Sequence, residues 1–397
     1  MALSNIPLEQ ISERHLQGLM RAGAAESLYI EYKQQTYGNS DSDHAEYLAD
    51  VSSFANAAGG DLAIGMSANS GVPTGFVPFA GDVDAEKRRL EDIARTGLEP
   101  RIPNLSVAAV ALAGGGHVLI VRAPRSFIGP HRVNYRGRNR FWARSSAGRY
   151  EPNVQELRRL FTEAPQLAER IRAFRLDRLA RIVAGETPVT VPAGSKLVLH
   201  VVPYSAFDVR NTLSVAQMQA NGLLFPPLGR SDPTHWESNF DGFLTLSNAD
   251  QRTRTHHSYA QVFRTGAVEG VSTIESDHAG TPAVIATKIE RYCVGNTHRW
   301  LRGLEACGVG PSFAILASLI EVQGRYLLTG IAGSPAEKVI NQRELHFSEA
   351  VLESIPANPQ DCAQALERPL LEQLWNAAGY ASMQTMRADR TWVVVPD

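Results

Sequence analysis

A cluster of charged residues and a double glycine, one helix apart, constrain the fold of this chain most strongly. The first segment contains Glu26, Glu31 and Lys33 and leads into a strand predicted over residues 29–34. The second is a predicted helix that stops at Gly59-Gly60 and turns directly into another strand. Because side chains alternate along a strand, Glu31 and Lys33 are expected on the same face. The pattern therefore predicts a strand–helix–strand unit with two carboxylates and one amine near its first strand.

Length and composition favour two domains, or three small ones, with ordinary globular cores. The chain has 397 residues, of which 44% are hydrophobic and 20% charged, and its formal net charge is −2. These fractions argue against a fibrous or wholly disordered protein. The three cysteines are widely spaced and match neither a disulfide framework nor a zinc pattern, so a cytoplasmic location is expected. The N-terminus is polar and lacks a basic stretch followed by an apolar core, so no secretory signal is expected. No membrane-spanning segment is expected either, because no apolar run approaches the required length.

Residues 101–150 carry a strong positive charge although the chain as a whole is nearly neutral. This segment contains nine arginines and no Asp or Glu. Arginine favours bidentate phosphate contacts and stacking on bases, and aromatic residues are interleaved with it here. The candidate nucleic-acid-binding residues are Arg132, Arg136, Arg138, Arg140, Trp142 and Arg144. The alternative is a solvated face whose arginines pair with acids elsewhere, such as Asp82, Asp84, Glu86 and Glu91.

The first domain is predicted to be a mixed α/β unit over residues 1–163. Asp43 as an N-cap, with Glu46 three residues later, predicts a capping box at the start of its second helix. Residues 140–144 predict a strand whose three polar or aromatic side chains, those at 140, 142 and 144, face outward. Asn153 with Glu156 predicts a capped closing helix over residues 154–161.

Beyond this domain, the sequence predicts a basic connecting helix and linker over residues 164–190 and a C-terminal domain over residues 191–397. Strands are predicted at residues 196–202, 242–246, 259–263, 313–322 and 392–395, and helices at 282–292 and 370–377. The fold class is therefore α/β, of the α+β type. This region contains neither His-Glu-x-x-His nor Gly-x-Ser-x-Gly, so its role is not predicted.

Several segments of the first domain, taken in order, carry a resemblance to a known family. They are Glu26 to Lys33, Phe54-Ala-Asn-Ala-Ala-Gly-Gly60, Ile64-Gly-Met66, the hairpin over residues 107–121, and Phe141-Trp-Ala-Arg-Ser145. Their order and spacing resemble the Alba-type (AlbA_2) domain of Schlafen proteins, in its short prokaryotic group, over about residues 1–163. The resemblance implies a domain that binds or cleaves nucleic acid. The chain contains no Gly-x-x-x-x-Gly-Lys-Ser/Thr, so no ATP or NAD site is expected.

The resemblance also implies roles for particular acids. Schlafen-type nucleases hold a divalent metal with three carboxylates, and the metal activates water. On this basis Glu26 and Glu31 are candidate ligands of Mg²⁺ or Mn²⁺, and Lys33 is their basic partner. The third acid is missing, because Ala68 stands where it belongs. Asp61 is a further catalytic candidate, although it is expected on the opposite face of its strand from the apolar residues. Ordinary ion pairs of Glu31 and Lys33, with a solvated Glu26, are the alternative.

Two functions remain open at this point. In the first, the protein is a metal-dependent endoribonuclease acting on structured RNA such as tRNA, which by resemblance would fit phage defence or growth arrest. In the second, it is a nucleic-acid-binding regulator that lacks the third carboxylate, and its C-terminal domain mediates partner or ligand contacts. RNA is favoured over DNA, no membrane partner is expected, and a homodimer is expected because Schlafen-like domains often pair. A small-molecule or protein-binding regulator is the third possibility.

One further motif lies in the C-terminal domain, and the sequence does not predict its role. Residues 264–269, Arg-Thr-Gly-Ala-Val-Glu, resemble a strand-turn-strand element that often follows Schlafen-like domains in bacterial proteins.

Overall fold

The chain forms two units, Met1–Ala168 and Glu169–Asp397, in the computed structural model. The structure describes residues 3, 6, 8–208, 212–233, 235–250, 255–331 and 337–394. Both units combine helices with sheets, and each unit contains parallel and antiparallel strand pairs, which confirms the predicted α+β class. Among these residues, no helix has the length and apolar character that crossing a bilayer requires.

The first unit is built on a mixed sheet with helices on both faces. Its helices are α1 (Glu13–Arg21), α2 (Asp41–Ala55), α3 (Val83–Gly97) and α4 (Val154–Val183), which continues into the second unit. Its strands are β1 (Ile30–Lys33), β2 (Gly60–Ile64), β3 (Met66–Asn69), β4 (Val72–Phe76), β5 (Leu98–Glu99), β6 (Ser106–Ala111), β7 (His117–Ala123), β8 (Arg132–Tyr135), β9 (Arg138–Phe141), β10 (Ala143–Ser145) and β11 (Gly148–Tyr150). The main sheet has the order β1-β2-β7-β6, and only β1 and β2 run parallel in it. The remaining strands form the ribbons β3-β4 and β10-β11 and the sheet β5-β8-β9.

Apolar side chains cover both faces of the main sheet. On one face, α2 and α3 pack Leu48, Phe54 and Leu90 against the sheet residues Leu62 and Leu119. On the other face, α1 packs Leu16 and Leu19 against Ile30, Ala63 and Ile120. The sheet is therefore the middle of three layers, and polar side chains on its two faces belong to separate environments.

The register of β1 and β2 assigns the candidate acids to these faces. Glu31 pairs with Leu62, whose side chain packs under α2, and Ile30 pairs with Asp61. Glu31 and Lys33 consequently lie on the α2 face, as the alternation predicts, while Asp61 lies on the α1 face.

Helix α2 begins earlier than its predicted capping box. Ser40 is the N-cap: its hydroxyl accepts a hydrogen bond from the Asp43 amide at 3.2 Å, and the Asp43 carboxylate accepts one from the Ser40 amide at 3.1 Å. The prediction of Asp43 as N-cap, with Glu46 completing the box, is therefore wrong, because Ser40 supplies the capping oxygen three residues earlier. Glu46 lies one turn further along and pairs with Lys33 instead.

The end of α2 depends on Gly59. Its φ of +75° is left-handed, and its amide donates to the carbonyl of Phe54 at 2.8 Å. A Cβ at this position would lie 2.5 Å from the backbone nitrogen of Arg125. Both the backbone angle and the close approach require glycine, which explains why the helix ends before the double glycine.

The strand predicted over residues 140–144 is divided into two. Strand β9 ends at Phe141, and β10 begins at Ala143 in a different sheet. Because the chain changes sheet at Trp142, the alternation of side chains does not continue across it. Arg144 is therefore buried, with 2% of its side chain exposed, and the prediction that it faces outward is wrong.

Helix α4 joins two segments that the sequence predicts as separate helices. It runs for 30 residues and contains Pro165. The predicted capping of its start is confirmed: the Asn153 side chain accepts from the Glu156 amide at 3.0 Å, and the Glu156 carboxylate accepts from the Asn153 amide at 2.9 Å.

The second unit combines a long sheet and a smaller sheet with helices. The strands are β12 (Lys196–Pro203), β13 (His235–Ser238), β14 (Gly242–Leu246), β15 (Ser258–Phe263), β16 (Val268–Thr273), β17 (Ser276–His278), β18 (Thr281–Ile285), β19 (Phe313–Ile320), β20 (Tyr326–Leu328), β21 (Glu337–Val339), β22 (Glu344–His346) and β23 (Ala350–Leu352). The helices are α5 (Val215–Ala220), α6 (Ala286–Ala306), α7 (Pro359–Leu366) and α8 (Glu372–Ala377). The long sheet has the order β13-β14-β15-β16-β12-β19-β22, in which β23 also pairs with β19, and the smaller sheet has the order β17-β18-β20-β21.

Two predictions for this unit need correction. The helix predicted over residues 282–292 starts only at Ala286, because Thr281–Ile285 forms β18 between β17 and β20. Trp392, predicted to begin a strand, forms an isolated bridge with Met386, and residue 395 lies outside the described residues. The core lies between the long sheet and α6, α7 and α8, and Leu179 and Ile182 of α4 cover the other face.

Candidate nucleic-acid interface

Strand β1 and helix α2 bring the predicted site residues into one network of charges. The Nζ atom of Lys33 lies 3.0 Å from Glu31 Oε1, 3.0 Å from Glu46 Oε1 and 3.3 Å from Asp50 Oδ2. Glu46 and Asp50 are one helical turn apart on α2, so both side chains reach the same amine. Only 1% of the Asp50 side chain is exposed.

Two arginines from the ribbon β10-β11 complete the network. Arg144 Nη1 lies 2.6 Å from Glu31 Oε2, and Arg149 is ion-paired with Asp50. The Arg144 guanidinium also lies over the ring of Phe54, 4.2 Å from its centre. We refer to Glu31, Lys33, Glu46, Asp50, Arg144 and Arg149 as the acid–base cluster. It contains three acids and three cations, so its formal charge is balanced.

Burial and the ion pairs of the acid–base cluster together set the pKa values of its buried members. Burial works against the charge of Glu31, but the attraction of Lys33 and Arg144 lowers its pKa below the ordinary value. Burial likewise opposes the charge of Lys33, and Asp50 and Glu31 outweigh it, so the pKa of Lys33 is raised. Burial, followed by repulsion from Glu31, raises the pKa of Asp50 against the attraction of Lys33 and Arg149.

Glu26 lies at the edge of this network. Its Oε1 accepts a hydrogen bond from the Tyr32 amide at 3.0 Å, and its own amide donates to the Gly71 carbonyl at 2.7 Å. Glu26, Glu31, Lys33 and Asp50 line one cavity of about 430 Å³, together with Arg144 and Arg149. The structure thus brings the two expected metal ligands to the same cavity.

Asp61 is not part of this site. It is buried on the α1 face of the sheet, where Arg122 holds it with Nε–Oδ1 at 2.7 Å and Nη2–Oδ2 at 3.1 Å. Burial raises the pKa of Asp61, against the hydrogen bonds and charge of Arg122. Asp61 therefore lies on the opposite face of its strand from Leu62, as the alternation predicts, and the sheet separates its side chain from that of Glu31.

The acid–base cluster does not fit a divalent metal as it is arranged. Both carboxylate oxygens of Glu31 are ion-paired with cations, and Asp50 is shared between Lys33, Arg149 and the Tyr37 hydroxyl, which donates at 2.6 Å. Mg²⁺ and Mn²⁺ bind carboxylate oxygens, and here the cations of the cluster already engage those oxygens. In the described part of the chain, no three or more His, Cys, Asp or Glu side chains are grouped to hold a metal ion.

A β-hairpin presents the most exposed candidate arginines. Strands β8 and β9 are joined by Arg136-Gly137, and these two residues have φ values of +48° and +78°. Positive φ at both positions gives a tight two-residue turn, in which Asn is normally favoured over a long side chain at the first position. Arg136, Arg138 and Arg140 are exposed, and 71% of the Arg136 side chain is accessible. We refer to residues 132–141 as the arginine hairpin.

The ion pairs of the arginine hairpin lie at the surface. Arg136 Nε lies 3.6 Å from Asp41, Arg132 Nη2 lies 2.6 Å from Glu99, and Arg140 pairs with Glu151. These acids differ from the four that the sequence suggested as partners. Of those four, Asp82 caps α3 and Glu86 pairs with Arg89. Trp142 is half-buried, and the Arg149 guanidinium lies 5.5 Å from its ring centre.

Asn56 ties the arginine hairpin to α2. Its side-chain nitrogen donates to the carbonyls of His131 and Trp142, both at 2.9 Å, and its oxygen accepts from the His131 amide at 2.6 Å. His131 and Trp142 flank the hairpin on either side. Asn56 therefore positions both ends of the hairpin through a single buried amide.

Sequence reasoning missed three residues of this region, namely Asp50, Arg149 and Asn56. Asp50 supplies the third carboxylate of the cavity that Ala68 does not provide. Its signal is an acid four residues after Glu46 in a half of the helix that is otherwise uncharged. Asn56 has a weaker signal, as an amide at the position where α2 ends.

Residues 26–153 match the family model described as Schlafen, AlbA_2. The match includes β1, α2, the acid–base cluster and the arginine hairpin. The chain therefore contains a Schlafen AlbA_2 domain over this segment, which confirms the resemblance. The match to this family supports nucleic-acid binding by the domain. No curated protein matches the chain.

Two solved structures show a partial likeness. One is the DIP2311 protein from Corynebacterium diphtheriae, at 15% identity and a TM-score of 0.26, and the likeness covers 36% of this chain and 26% of that protein. The other is the N-terminal domain of a putative ATP-dependent DNA helicase RecG-related protein from Nitrosomonas europaea, at 22% identity and a TM-score of 0.24. It covers 30% of this chain and 75% of that domain. The chain thus spans about a quarter of the length of the first protein.

Proposed function

We propose that the arginine hairpin binds the phosphate backbone of RNA and that binding, without cleavage, is the function of the first unit. The observation that supports it most directly is the exposure of Arg136, Arg138 and Arg140 around one turn. Backbone phosphates are the dominant electrostatic target of such a surface.

The ion pairs of the hairpin leave it available for phosphate. Exposed pairs contribute only about 0–1 kcal/mol, because water and salt screen them. The Arg136–Asp41 pair, at 3.6 Å with both side chains more than half exposed, belongs to this class. A phosphate that accepts from the Arg136 guanidinium therefore displaces a weak contact. Arg138 has no ion pair with the described residues, so its charge adds to the same surface.

The buried cluster has a different role in this proposal. Arg144 and Arg149 are held by Glu31 and Asp50, and they connect β10 and β11 to β1 and α2. Breaking a buried ion pair leaves an uncompensated charge and costs about 3–5 kcal/mol. The cluster thus supports the fold beneath the hairpin, and Arg144 contributes to binding through that support.

Titration of labelled RNA with two matched double variants tests the proposal. Arg136→Ala with Arg138→Ala removes two hairpin charges, while Arg88→Ala with Arg95→Ala removes two exposed charges from α3 in the same unit. We expect the hairpin variant to bind single-stranded RNA about 30-fold more weakly at low salt, at about 1 kcal/mol for each lost contact. The α3 variant is expected to bind like the unmodified protein. Equal affinities of the two variants would contradict the proposal.

A metal-dependent endoribonuclease is the second candidate. One observation favours it: Glu26, Glu31 and Asp50 place three carboxylates around one cavity that also contains Lys33. The ion pairs described above oppose it, because they already occupy the oxygens of Glu31.

Incubation of the protein with tRNA, and separately with DNA, distinguishes the two candidates. Each substrate is incubated with Mg²⁺, with Mn²⁺ and with a chelator, and Glu26→Gln serves as the variant. This change removes a charge but keeps a side-chain oxygen that accepts the hydrogen bond from the Tyr32 amide. Products that need the metal and disappear in Glu26→Gln would establish the nuclease. Binding that is equal with and without metal, and that yields no products, is the result the binding proposal expects.

A further inference from the structure

The second unit contains an aromatic cavity that the proposed function does not use. Its volume is about 540 Å³. Phe174, Phe207, Phe240 and Phe263 line it, with the small side chains of Ala206 and Ala267 between them. We refer to it as the aromatic cavity. Ligand sites in proteins have volumes of about 300–1,000 Å³ and walls of this apolar and aromatic kind.

The cavity lies where several connections of the long sheet meet α4. Phe207 follows β12, Phe240 lies in the turn between β13 and β14, and Phe263 ends β15. Phe174 comes from α4 within this unit. The Arg-Thr-Gly-Ala-Val-Glu motif at residues 264–269 forms the turn from β15 to β16 and the first two residues of β16, and three of its residues line the cavity. The motif therefore has a structural place at this site.

Contacts behind the rings hold the walls in place. The Phe174 ring meets the Phe263 ring at 86°, with centres 6.1 Å apart, and the His200 ring at 75° and 5.4 Å. Arg170 lies over Phe207 at 4.7 Å and Arg178 over Phe263 at 5.1 Å. Edge-to-face and cation–π contacts of this kind orient rings as well as bury them.

Phe240 differs from the other three rings in its exposure. Of this residue, 93% is accessible to solvent, although Phe is among the residues most often buried. Its backbone is held, since Arg264 Nε donates to the Phe240 carbonyl at 3.2 Å and the Asn239 side chain accepts from the Gly242 amide at 2.9 Å. An apolar ring on a fixed turn at the mouth of an apolar cavity gains burial only when something enters the cavity.

From these contacts we propose that the aromatic cavity binds a small, uncharged aromatic molecule. An aromatic ligand fits between the phenylalanine rings of the cavity walls and can make edge-to-face contacts with them. Asp241 and Arg264 also line the cavity, and both are exposed and opposite in charge, so they offer hydrogen bonds without favouring an ion of either sign. Arg170 and Arg178 already occupy ring faces of Phe207 and Phe263, which disfavours a cationic ligand at those faces. The site is independent of the arginine hairpin.

Titration of the full-length protein with N-phenyl-naphthylamine, a neutral aromatic probe that fluoresces in apolar surroundings, tests the proposal. We expect saturable binding of one probe for each chain. Phe240→Ser is expected to weaken it about tenfold or more, because one wall of the site is lost. Ala206→Trp fills the cavity and is expected to abolish binding. The matched control is Leu223→Ser, another exposed apolar residue of the same unit that does not line the cavity.

Displacement of the probe identifies the ligand class. We expect naphthol to displace it at a concentration about tenfold lower than naphthoate, naphthylmethylammonium or decanol require. If decanol or either ion displaced the probe at the same concentration as naphthol does, the assignment to neutral aromatic ligands would be overturned. Absence of saturable binding, or equal affinities in Phe240→Ser and Leu223→Ser, would overturn the site itself. The unfolding midpoint of Phe240→Ser, expected to equal that of the unmodified protein, separates loss of the site from loss of the fold.

Discussion

Glu269→Gln removes the charge at the centre of a buried network in the second unit. The Glu269 carboxylate accepts from Arg178 at 2.8 and 2.9 Å and from the Tyr259 hydroxyl at 2.9 Å, and it lies 3.1 Å from His200 Nε2. Burial alone would raise the pKa of Glu269, but the hydrogen bonds and charges of Arg178 and His200 outweigh it and lower the pKa to about 2.

The size of the expected effect follows from this pKa. The carboxyl of an unfolded chain titrates near 4.5, so the folded state favours ionisation by about 2.5 pH units, or about 3 kcal/mol at pH 7. Because the pKa is lower in the folded state, this stability is present above pH 4.5 and is lost as the pH falls towards 2. Glu269→Gln should therefore lower the free energy of unfolding by about 3 kcal/mol at pH 7 and by about 1 kcal/mol at pH 3.

Urea denaturation at pH 7, 5 and 3, followed by the fluorescence of the buried Trp300 and Trp375, measures this loss. Glu305→Gln is the control, since Glu305 is half-exposed and pairs with Arg302 at the surface. We expect it to cost less than about 0.5 kcal/mol at every pH. A loss at Glu269→Gln below about 1 kcal/mol at pH 7, or one that stays constant down to pH 3, would refute the reasoning.

Three further predictions concern the first unit, each measured by urea denaturation. Asn56→Ala should destabilise it by about 2–3 kcal/mol, because three hydrogen bonds of a buried amide are lost, and a loss below about 1 kcal/mol would contradict the described positioning of the hairpin. Gly59→Ala should cost more than about 1 kcal/mol, since φ is positive and backbone lies in the way, whereas Gly114→Ala, which meets open space, should be nearly neutral. Asp61→Asn should cost about 3 kcal/mol by leaving the partly buried Arg122 without a counter-charge. The same variant should leave RNA affinity unchanged at a temperature where it is folded, and a selective loss of RNA binding would place Asp61 in the site after all.

The features that sequence predicted well depend on neighbours along the chain. Alternation alone places Glu31 and Lys33 on one face of β1. The double glycine predicts the end of α2, because Gly59 adopts the positive backbone angle that glycine favours. The N-cap of α2 was predicted wrongly, because two polar residues three positions apart compete for the role. Ser40 and Asp43 both carry suitable oxygens, and only the geometry of the loop decides between them.

The features that sequence did not predict depend on contacts between distant segments. Arg144 is buried because the chain changes sheet at Trp142 and carries the arginine back to Glu31. Asp50 becomes the third carboxylate of the cavity only when β1 and β11 flank α2. No periodicity of a single segment contains that information, since it arises from packing.

The dependence of RNA affinity on salt tests the central claim most directly. The logarithm of the binding constant falls linearly with the logarithm of the salt concentration, with a slope of about 0.7 for each phosphate contact on a single strand. If Arg136 and Arg138 bind phosphates, their double replacement by Ala should reduce the magnitude of this slope by about 1.4, and the α3 double variant should leave it unchanged. An identical slope for all three proteins would contradict the account, whatever their affinities.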